Sequence, residues 1–377
     1  MTLPRRICFV AREDFVSKPG GDTVQWHMYD KVATDAGFQT VTWFESGPTP
    51  VADLYHGFNI DRPLELYPRL RKVRAMGKPY VLSTIHHPHA WVERFRRAHP
   101  PGGLCGKLLY RSPLGYSTPA VESLKEWVRL IRTWRTKEAV DLHPTWSKRV
   151  MWLLRNAATL TLLAPVEADY LATDFGFKDP RTDVMTLPNW VMGTGAPQGS
   201  PPIEFADLAT PPVIVVGRVE ARKNVLGLCR LAEAAERTLV VVGRPNPNEA
   251  GYAAELSSTL ATSRFVRWIP GVARERMGSI YGHASHLLNG SFVEVSPLVD
   301  VEALSHGCPV VTTRYALHHA LLPRGTPVCD PYEDDDVIRH LKWRPVRIPA
   351  VQAVDPDECT SRLTSLYHRL AGTGVTV

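Results

Sequence analysis

Two series of short apolar runs, separated by a proline-rich stretch, constrain this chain more than any other feature. In the first half the runs are Ile7–Val10, Gln39–Trp43, Leu54–His56, Tyr80–Thr84, Thr159–Leu163 and Met185–Leu187. Segments of helical length lie between them. One runs from about Val24 to Ala36, after the loop Lys18-Pro19-Gly20-Gly21-Asp22-Thr23. Another, rich in Leu and Arg, precedes Tyr80, and a third passes from Pro165 through Glu167 to Leu171. Apolar runs this short, bounded by turn residues, read as buried strands, and strands alternating with helices read as βαβ units of a parallel sheet. Residues 192–212 interrupt the pattern with five prolines and four Gly or Ser residues, a linker composition. A second series follows: Val213–Val216, Leu239–Val242, Phe265–Trp268, Leu287–Leu288 and Val310–Thr312. The polar loop Gly217–Asn224 and a helix from Val225 to Ala235 come after its first strand. The expected fold class is α/β, with two doubly wound Rossmann-like domains facing an interdomain cleft. The expected boundaries are 1–195 and 196–358, with a C-terminal helix over 359–377 packing back on the first domain. In such folds ligands bind at the carboxyl ends of the strands.

A length of 377 residues suits two domains, and 22% charged with 44% hydrophobic residues is a globular balance that excludes a disordered or fibrous chain. Six cysteines lie far apart with no C-x-x-C pair, which reads as reduced core thiols in a cytoplasmic protein. No run approaches the ~20 apolar residues of a membrane span. The formal charge is +6, and its distribution is uneven. Between Trp91 and Glu138 there are ten basic and four acidic residues, a surplus of six, so the rest of the chain balances. Trp91, Phe95, Tyr110, Tyr116, Trp127 and Trp134 are interleaved with those charges. Three readings fit: a folded helical insertion, a peripheral contact with an anionic membrane face, or a surface for single-stranded nucleic acid, the weakest of the three.

The most informative stretch is Phe292 to Val311, FVEVSPLVDVEALSHGCPVV. Ser296 is a good N-cap, Pro297 suits the first helical position, and Gly307 ends the helix after His306. The first-turn N–H groups of Leu298 and Val299 form an anion site. Glu294 lies just before the helix and Glu302 inside it. This resembles the E-x7-E motif of glycosyltransferase family 4, the retaining GT-B enzymes, and Gly307-Cys308-Pro309-Val310-Val311 resembles that family's G-x-P-V-V ending. Val216-Gly217-Arg218-Val219-Glu220-Ala221-Arg222-Lys223-Asn224 is similar to its G-R-x-x-x-x-K loop. Gly20-Gly21 resembles its glycine-rich turn in the first domain. Thr84-Ile85-His86-His87 resembles its strand-end H-D site, with His87 in place of Asp. Leu187-Pro188-Asn189-Trp190-Val191 resembles its P-N-G-V-D element, with Trp190 in place of glycine. The family's Gly-Phe-Gly after the first glutamate is Val295-Ser296-Pro297 here, so one backbone donor is lost at Pro297.

The resemblance implies a hexosyltransferase-type enzyme that moves a sugar from a nucleotide-diphosphate donor with retention. The first domain would meet the acceptor and the second the nucleotide sugar. Arg218, Lys223, Glu294 and His86 would be catalytic. Gly20, Gly21, Gly217, Arg218, Lys223, Gly243, Ser296, Leu298, Val299 and Glu302 would bind the donor. Arg218 and Lys223 would stabilise the leaving diphosphate, Glu294 would hold sugar hydroxyls and Glu302 the ribose. No cofactor or metal is expected. A metal reading of His86, His87 and His89 meets the absence of any acidic residue within a few positions. Asp334-Asp335-Asp336 reads as a solvated helix start. The acceptor stays open between an anionic lipid-linked or polysaccharide chain and a small natural-product core. A GT-B-like sugar-nucleotide epimerase and a transfer-inactive nucleotide-sugar binder are the other classes. The expected location is cytoplasmic, extending to the inner membrane face if 91–138 touches lipid.

Overall fold

The computed structural model describes residues 5–13, 15, 20–44, 47–100, 117–133, 145–192 and 201–372. It divides into two compact units, one formed by Met1–Pro188 with Asp357–Val377 and the other by Asn189–Pro356. The sequence expectation placed the first division a few residues later, inside the linker, of which 193–200 lie outside the described residues.

Unit 1 is a six-stranded sheet built from β1 (Arg6–Val10), β2 (Gln39–Trp43), β3 (Leu54–Phe58), β4 (Tyr80–Ser83), β5 (Thr159–Leu162) and β6 (Asp183–Thr186). The strands lie in the order β2-β1-β3-β4-β5-β6, every pair parallel. The chain leaves β1 for β2 on one side and returns to β3 on the other, so the switch point lies between β1 and β3. The crossovers include α1 (Gly21–Asp35), α2 (Pro63–Ala75), α3 (His89–Ala98), α4 (Thr118–Thr133), α5 (Trp146–Asn156) and α6 (Glu167–Phe175). Leu66, Leu70 and Val73 of α2 repeat at helical spacing and are buried with Val150, Leu153 and Leu154 of α5 against Tyr55, Tyr80 and Leu82. Each such side chain contributes about 1.5–3 kcal/mol of transfer free energy.

The last helix, named α12 below (Pro356–Gly372), belongs to this unit from Asp357 onward. Its Tyr367 is fully buried, and the hydroxyl is 2.9 Å from Nδ1 of His56. Burial lowers the His56 pKa to about 3, so the ring is neutral.

Unit 2 repeats the plan with β7 (Val213–Val216), β8 (Leu239–Val242), β9 (Val266–Ile269), β10 (His286–Leu288), β11 (Val310–Thr313) and β12 (Val328–Cys329). The order is β12-β11-β10-β7-β8-β9, again all parallel, with the switch point between β7 and β10. Its helices are α7 (Val225–Ala234), α8 (Ala250–Leu260), α9 (Arg274–His283), α10 (Leu298–Ser305) and α11 (Asp334–Lys342). The Asp334–Asp336 run opens α11, with Asp334 paired to Arg230 at 2.9 Å and Asp336 accepting from the Asp330 N–H.

Much of the basic segment, 101–116 and 134–138, lies outside the described residues, as does Cys105. Within the described part, Phe95 is buried and Trp91 packs edge-on against Tyr170 at 5.2 Å. Glu126 pairs with the buried Arg149, and Lys125 pairs with Glu122. Leu124, Trp127 and Val128 are exposed. The other five cysteines are free and buried, and burial pushes the Cys8, Cys229, Cys308 and Cys329 thiols up to about 12.

Candidate functional site

In unit 2 the two loops that leave the carboxyl ends of β7 and β10 meet at the switch point. The first, from Gly217, closes into a single tight turn over Ala221–Lys223, ended by Asn224 in the left-handed conformation (φ 55°). Asparagine tolerates that conformation better than most residues. The second loop is tied to the first by Phe292 N–H donating to the Arg222 carbonyl at 2.9 Å and by Arg222 Nη1 donating to the Val293 carbonyl at 2.8 Å. These bonds carry Lys223 to Glu294, whose Oε1 it contacts directly, and set Arg222 Nη1 3.4 Å from Oε2. Burial alone would raise the Glu294 pKa, but the charges of Lys223 and Arg222 outweigh it and hold the carboxyl at about 2.

Glu220 is the second buried anion, bonded by Arg222 Nη2 at 3.0 Å and by Asn246 Nδ2 at 2.8 Å. Arg218 lies 3.7 Å from it with its side chain 42% exposed, the most accessible of the three cations of this loop. Glu249 adds a third carboxylate, accepting from the Ala221 N–H at 2.8 Å and acting on Arg222, so three cations stand among three carboxylates at this strand-end loop. A diphosphate is the kind of ligand such a loop attracts.

Glycine is required beneath this loop. A Cβ on Gly243 would lie 1.8 Å from the Gly217 carbonyl oxygen, so the turns after β7 and β8 close only with a bare backbone at Gly243. The Lys223 stem lies over Gly217, with Cε 3.4 Å from where a Cβ would stand.

The helix after Glu294 departs from expectation. Pro297 occupies the N-cap position and α10 begins at Leu298; Ser296 makes no cap. Its hydroxyl is 3.1 Å from Nδ1 of His318 instead, because the segment is pinned sideways to 315–317. Glu294 N–H donates to the Tyr315 carbonyl at 2.8 Å, and Leu317 N–H to the Val295 carbonyl at 2.9 Å. Leu298 and Val299 open the helix as expected, and Gly307 (φ 68°) follows its end. Glu302 lies on α10, where Tyr281 donates to Oε2 at 3.1 Å and burial raises the carboxyl pKa. The structure thus brings Lys223, Arg222 and Glu294 together, whereas Glu302 is engaged by Tyr281.

In unit 1 the corresponding strand ends hold histidines and acids. Ile85 is β-branched and left-handed (φ 48°), a conformation that costs about 1–3 kcal/mol. The buried Glu167 holds it on both sides, accepting from Thr84 Oγ1 at 2.5 Å and from His86 N–H at 2.9 Å. The strained turn sends His86 inward, where it is fully buried. Its Nδ1 is 2.8 Å from Asp61 and its Nε2 is 2.8 Å from Asp174. A carboxylate only accepts, so both nitrogens carry protons and the ring is an imidazolium. Burial would push its pKa down, but Asp61 and Asp174 overcome that and raise it to about 9.

Asp61 also accepts from His87, through the N–H at 3.1 Å and Nδ1 at 2.8 Å. The His87 side chain is 27% exposed, and it is the more accessible of the two rings. Gly20 caps α1 and donates its N–H to Thr23 Oγ1 at 3.0 Å, while a Cβ on Gly21 would meet nothing. Asp22 accepts from Arg12 at 2.7 Å.

The acids that sequence spacing did not supply come from far along the chain: Asp61 at the end of β3 and Asp174 on α6. Together with His89, His86 and Asp174 place potential metal-ligand atoms within 4.8 Å of one another. While both His86 nitrogens are protonated, that ring has no lone pair for an ion. Asp61, Asp174, Arg222, Glu220 and His318 were all missed. The available signal was position alone: Asp61, Glu220 and Arg222 follow strand ends.

Residues 203–343 match the family described as glycosyl transferases group 1. No curated protein matches the chain in sequence. Among solved structures, sucrose-phosphate synthase from Thermosynechococcus elongatus is similar with TM-score 0.60 and 12% identity, covering 97% of this chain and 96% of that one. Anabaena HepE in complex with UDP and glucose is similar with TM-score 0.59 and 13% identity, covering 98% and 95%. The OtsA apo structure has TM-score 0.56 and 10% identity, covering 97% and 96%. These likenesses show the fold: the chain has the GT-B arrangement of two doubly wound parallel α/β units, and its second unit carries the group 1 glycosyl transferase segment.

Proposed function

We propose that the protein is a retaining glycosyltransferase that uses a nucleotide-diphosphate sugar. The observation that carries this is the pairing of Lys223 and Arg222 with Glu294 at the β7/β10 switch point, with Arg218 open beside them. It lies within the segment that matches glycosyl transferases group 1. Anabaena HepE, of the same fold, has been solved with UDP and with UDP-glucose. Arg218 and Lys223 stabilise the diphosphate as charge develops on the leaving oxygen, and the α10 N-terminus at Leu298 and Val299 adds its dipole. Glu294, held ionised at neutral pH, accepts hydrogen bonds from sugar hydroxyls. Glu302 is the ribose partner. No cofactor or metal is invoked, and a leaving phosphate oxygen takes the acceptor proton.

The side of the reaction that unit 1 serves is the acceptor, an anionic lipid-linked or polysaccharide chain or a small polar core. The positive surplus of 91–138 supports an anionic one. No helix among the described residues is long and apolar enough to cross a membrane. Contact at a cytoplasmic membrane face is therefore proposed only as peripheral, through the exposed Leu124, Trp127 and Val128 of α4.

A thermal-shift panel of UDP-, GDP- and dTDP-hexoses tests the donor assignment, followed by NMR of the product anomer. Stabilisation by one nucleotide series and transfer with retention are expected. Conversion of the donor to an epimer without acceptor, or binding without turnover, would replace transfer with one of the two other classes.

A further inference from the structure

Two cations meet Glu294, and they are neighbours in one tight turn. Their attachments differ. Among the described residues the Lys223 ammonium hydrogen-bonds to Glu294 Oε1, and its stem rests over Gly217. A lysine is a point charge on a flexible stem, able to turn toward a second anion. The Arg222 guanidinium is committed on both arms. Nη1 donates to the Val293 carbonyl at 2.8 Å and lies 3.4 Å from Glu294 Oε2, while Nη2 donates to Glu220 Oε1 at 3.0 Å. Asn246 Nδ2 holds Glu220 in turn at 2.8 Å, and the Arg222 carbonyl accepts from the Phe292 N–H at 2.9 Å.

These attachments govern what each cation does when a diphosphate arrives. Lys223 has one carboxylate to leave or to share. Arg222 would have to give up a carbonyl and two carboxylates, and a planar fork fixed on both arms does not follow an incoming charge. Glu294 needs a cation that stays. It is 6% exposed, and a carboxylate so enclosed is driven toward its neutral form unless positive charge faces it. The groups facing it are Lys223 and Arg222, the like charge of Glu220 and the Ser291 hydroxyl of its own loop. From the segment after β11 it meets the backbone of Tyr315 and Ala316. With Lys223 turned to the diphosphate, Arg222 is the remaining cation of this set.

We infer that Arg222 is a positioning residue for the transfer reaction: its fork stays with Glu294 and keeps it an ionised acceptor of sugar hydroxyls while Lys223 serves the diphosphate. This rests on the nucleotide-sugar reading above and adds a residue to which that reading gives no part. Arg222 touches neither sugar nor phosphate in this role; it acts through Glu294.

The test is calorimetry of UDP-glucose and of GDP-mannose in buffers of different ionisation enthalpy, which reads the protons taken up on binding. The phosphates of a nucleotide sugar are fully ionised near neutrality, so the probe exchanges no proton of its own. Wild type should show no uptake at Glu294. Arg222→Gln keeps an N–H donor for the Val293 carbonyl and removes the charge. It should take up close to one proton per nucleotide sugar bound, and by linkage its affinity should fall about tenfold per unit rise in pH where wild type stays level. Arg222→Lys should restore the level profile. Adding Glu294→Gln to Arg222→Gln should abolish the uptake, which assigns the proton to Glu294. An arginine with only a structural role would weaken binding and leave the proton count unchanged. If Arg222→Gln binds a nucleotide sugar with no more uptake than wild type, or if uptake survives in the double variant, the inference falls while the donor assignment stands. Should Arg222→Gln fail to fold, wild type still decides: proton uptake that Glu294→Gln removes would show that Arg222 does not keep the carboxylate charged. If wild type binds neither probe nor any member of the wider panel, the donor assignment falls and takes the inference with it.

Discussion

The strand-end clusters of the two units share a topology and differ in where the positive charge goes. In unit 1 the imidazolium of His86 is enclosed by Asp61 and Asp174 and fully buried, so its charge is consumed internally. In unit 2, Lys223 and Arg222 meet Glu294 and Glu220, and Arg218 is the most exposed of the three cations. One arrangement of ionisable side chains locks a strained turn; the other leaves one of its cations exposed. Perturbed pKa values occur in both, so a shifted group alone does not separate a structural ion pair from a binding one. Exposure does.

The comparison breaks most directly at His86. His86→Ala leaves Asp61 and Asp174 without their shared partner, and removing one side of a buried pair costs about 3–5 kcal/mol. The urea transition of unit 1, followed by hydrogen exchange at β4, should shift accordingly, with nucleotide binding by folded protein retained. A shift under 1 kcal/mol would show that His86 is not the structural cation described.

Lys223→Ala should act in the opposite way. Arg222 stays beside Glu294, so the fold holds, while transfer falls by about 10²–10³-fold, the usual cost of losing one charge-stabilising group. Arg218→Ala should behave similarly. Wild-type turnover in both, on an identified donor and acceptor, would refute their assignment.

The smallest effect sharpens the contrast through pH. The His86 pKa is raised from 6.5 to about 9, so its stabilisation is fully present below 6.5 and is lost as pH rises through about 9. Glu294 is lowered from 4.5 to about 2, so its contribution is present above 4.5 and is lost as pH falls through about 2. Unit 1 should therefore weaken at the alkaline end and unit 2 at the acid end. His86→Ala should flatten only the alkaline limb.

Much of the fold was readable along the chain. VIVV at 213–216 and LVVV at 239–242 form β7 and β8 because four β-branched or aliphatic residues between turns have few alternatives. The helix after Gly20-Gly21 was expected from Val24 and begins at Gly21, since the Thr23 hydroxyl caps it from within. Ser296 was expected to cap α10, and local propensity did favour that. His318, 22 residues away, takes the hydroxyl instead. Glu294 and Lys223, 71 residues apart in the chain, contact each other in the fold.

Apolar periodicity and turn chemistry act over a few residues, and they dictate the two parallel α/β units and the strand-end loops directly from the chain. The chain also places Arg218, Lys223, Glu294 and Ser296 on such loops. Which charges meet depends on the folded chain. Asp61 and Asp174 reach His86 across 25 and 88 residues, and Arg222 reaches Glu294 across 72. Ion pairs and hydrogen bonds depend on distances of a few ångströms in space. Those distances are set by strand order and crossover, and residue spacing along the chain does not encode them.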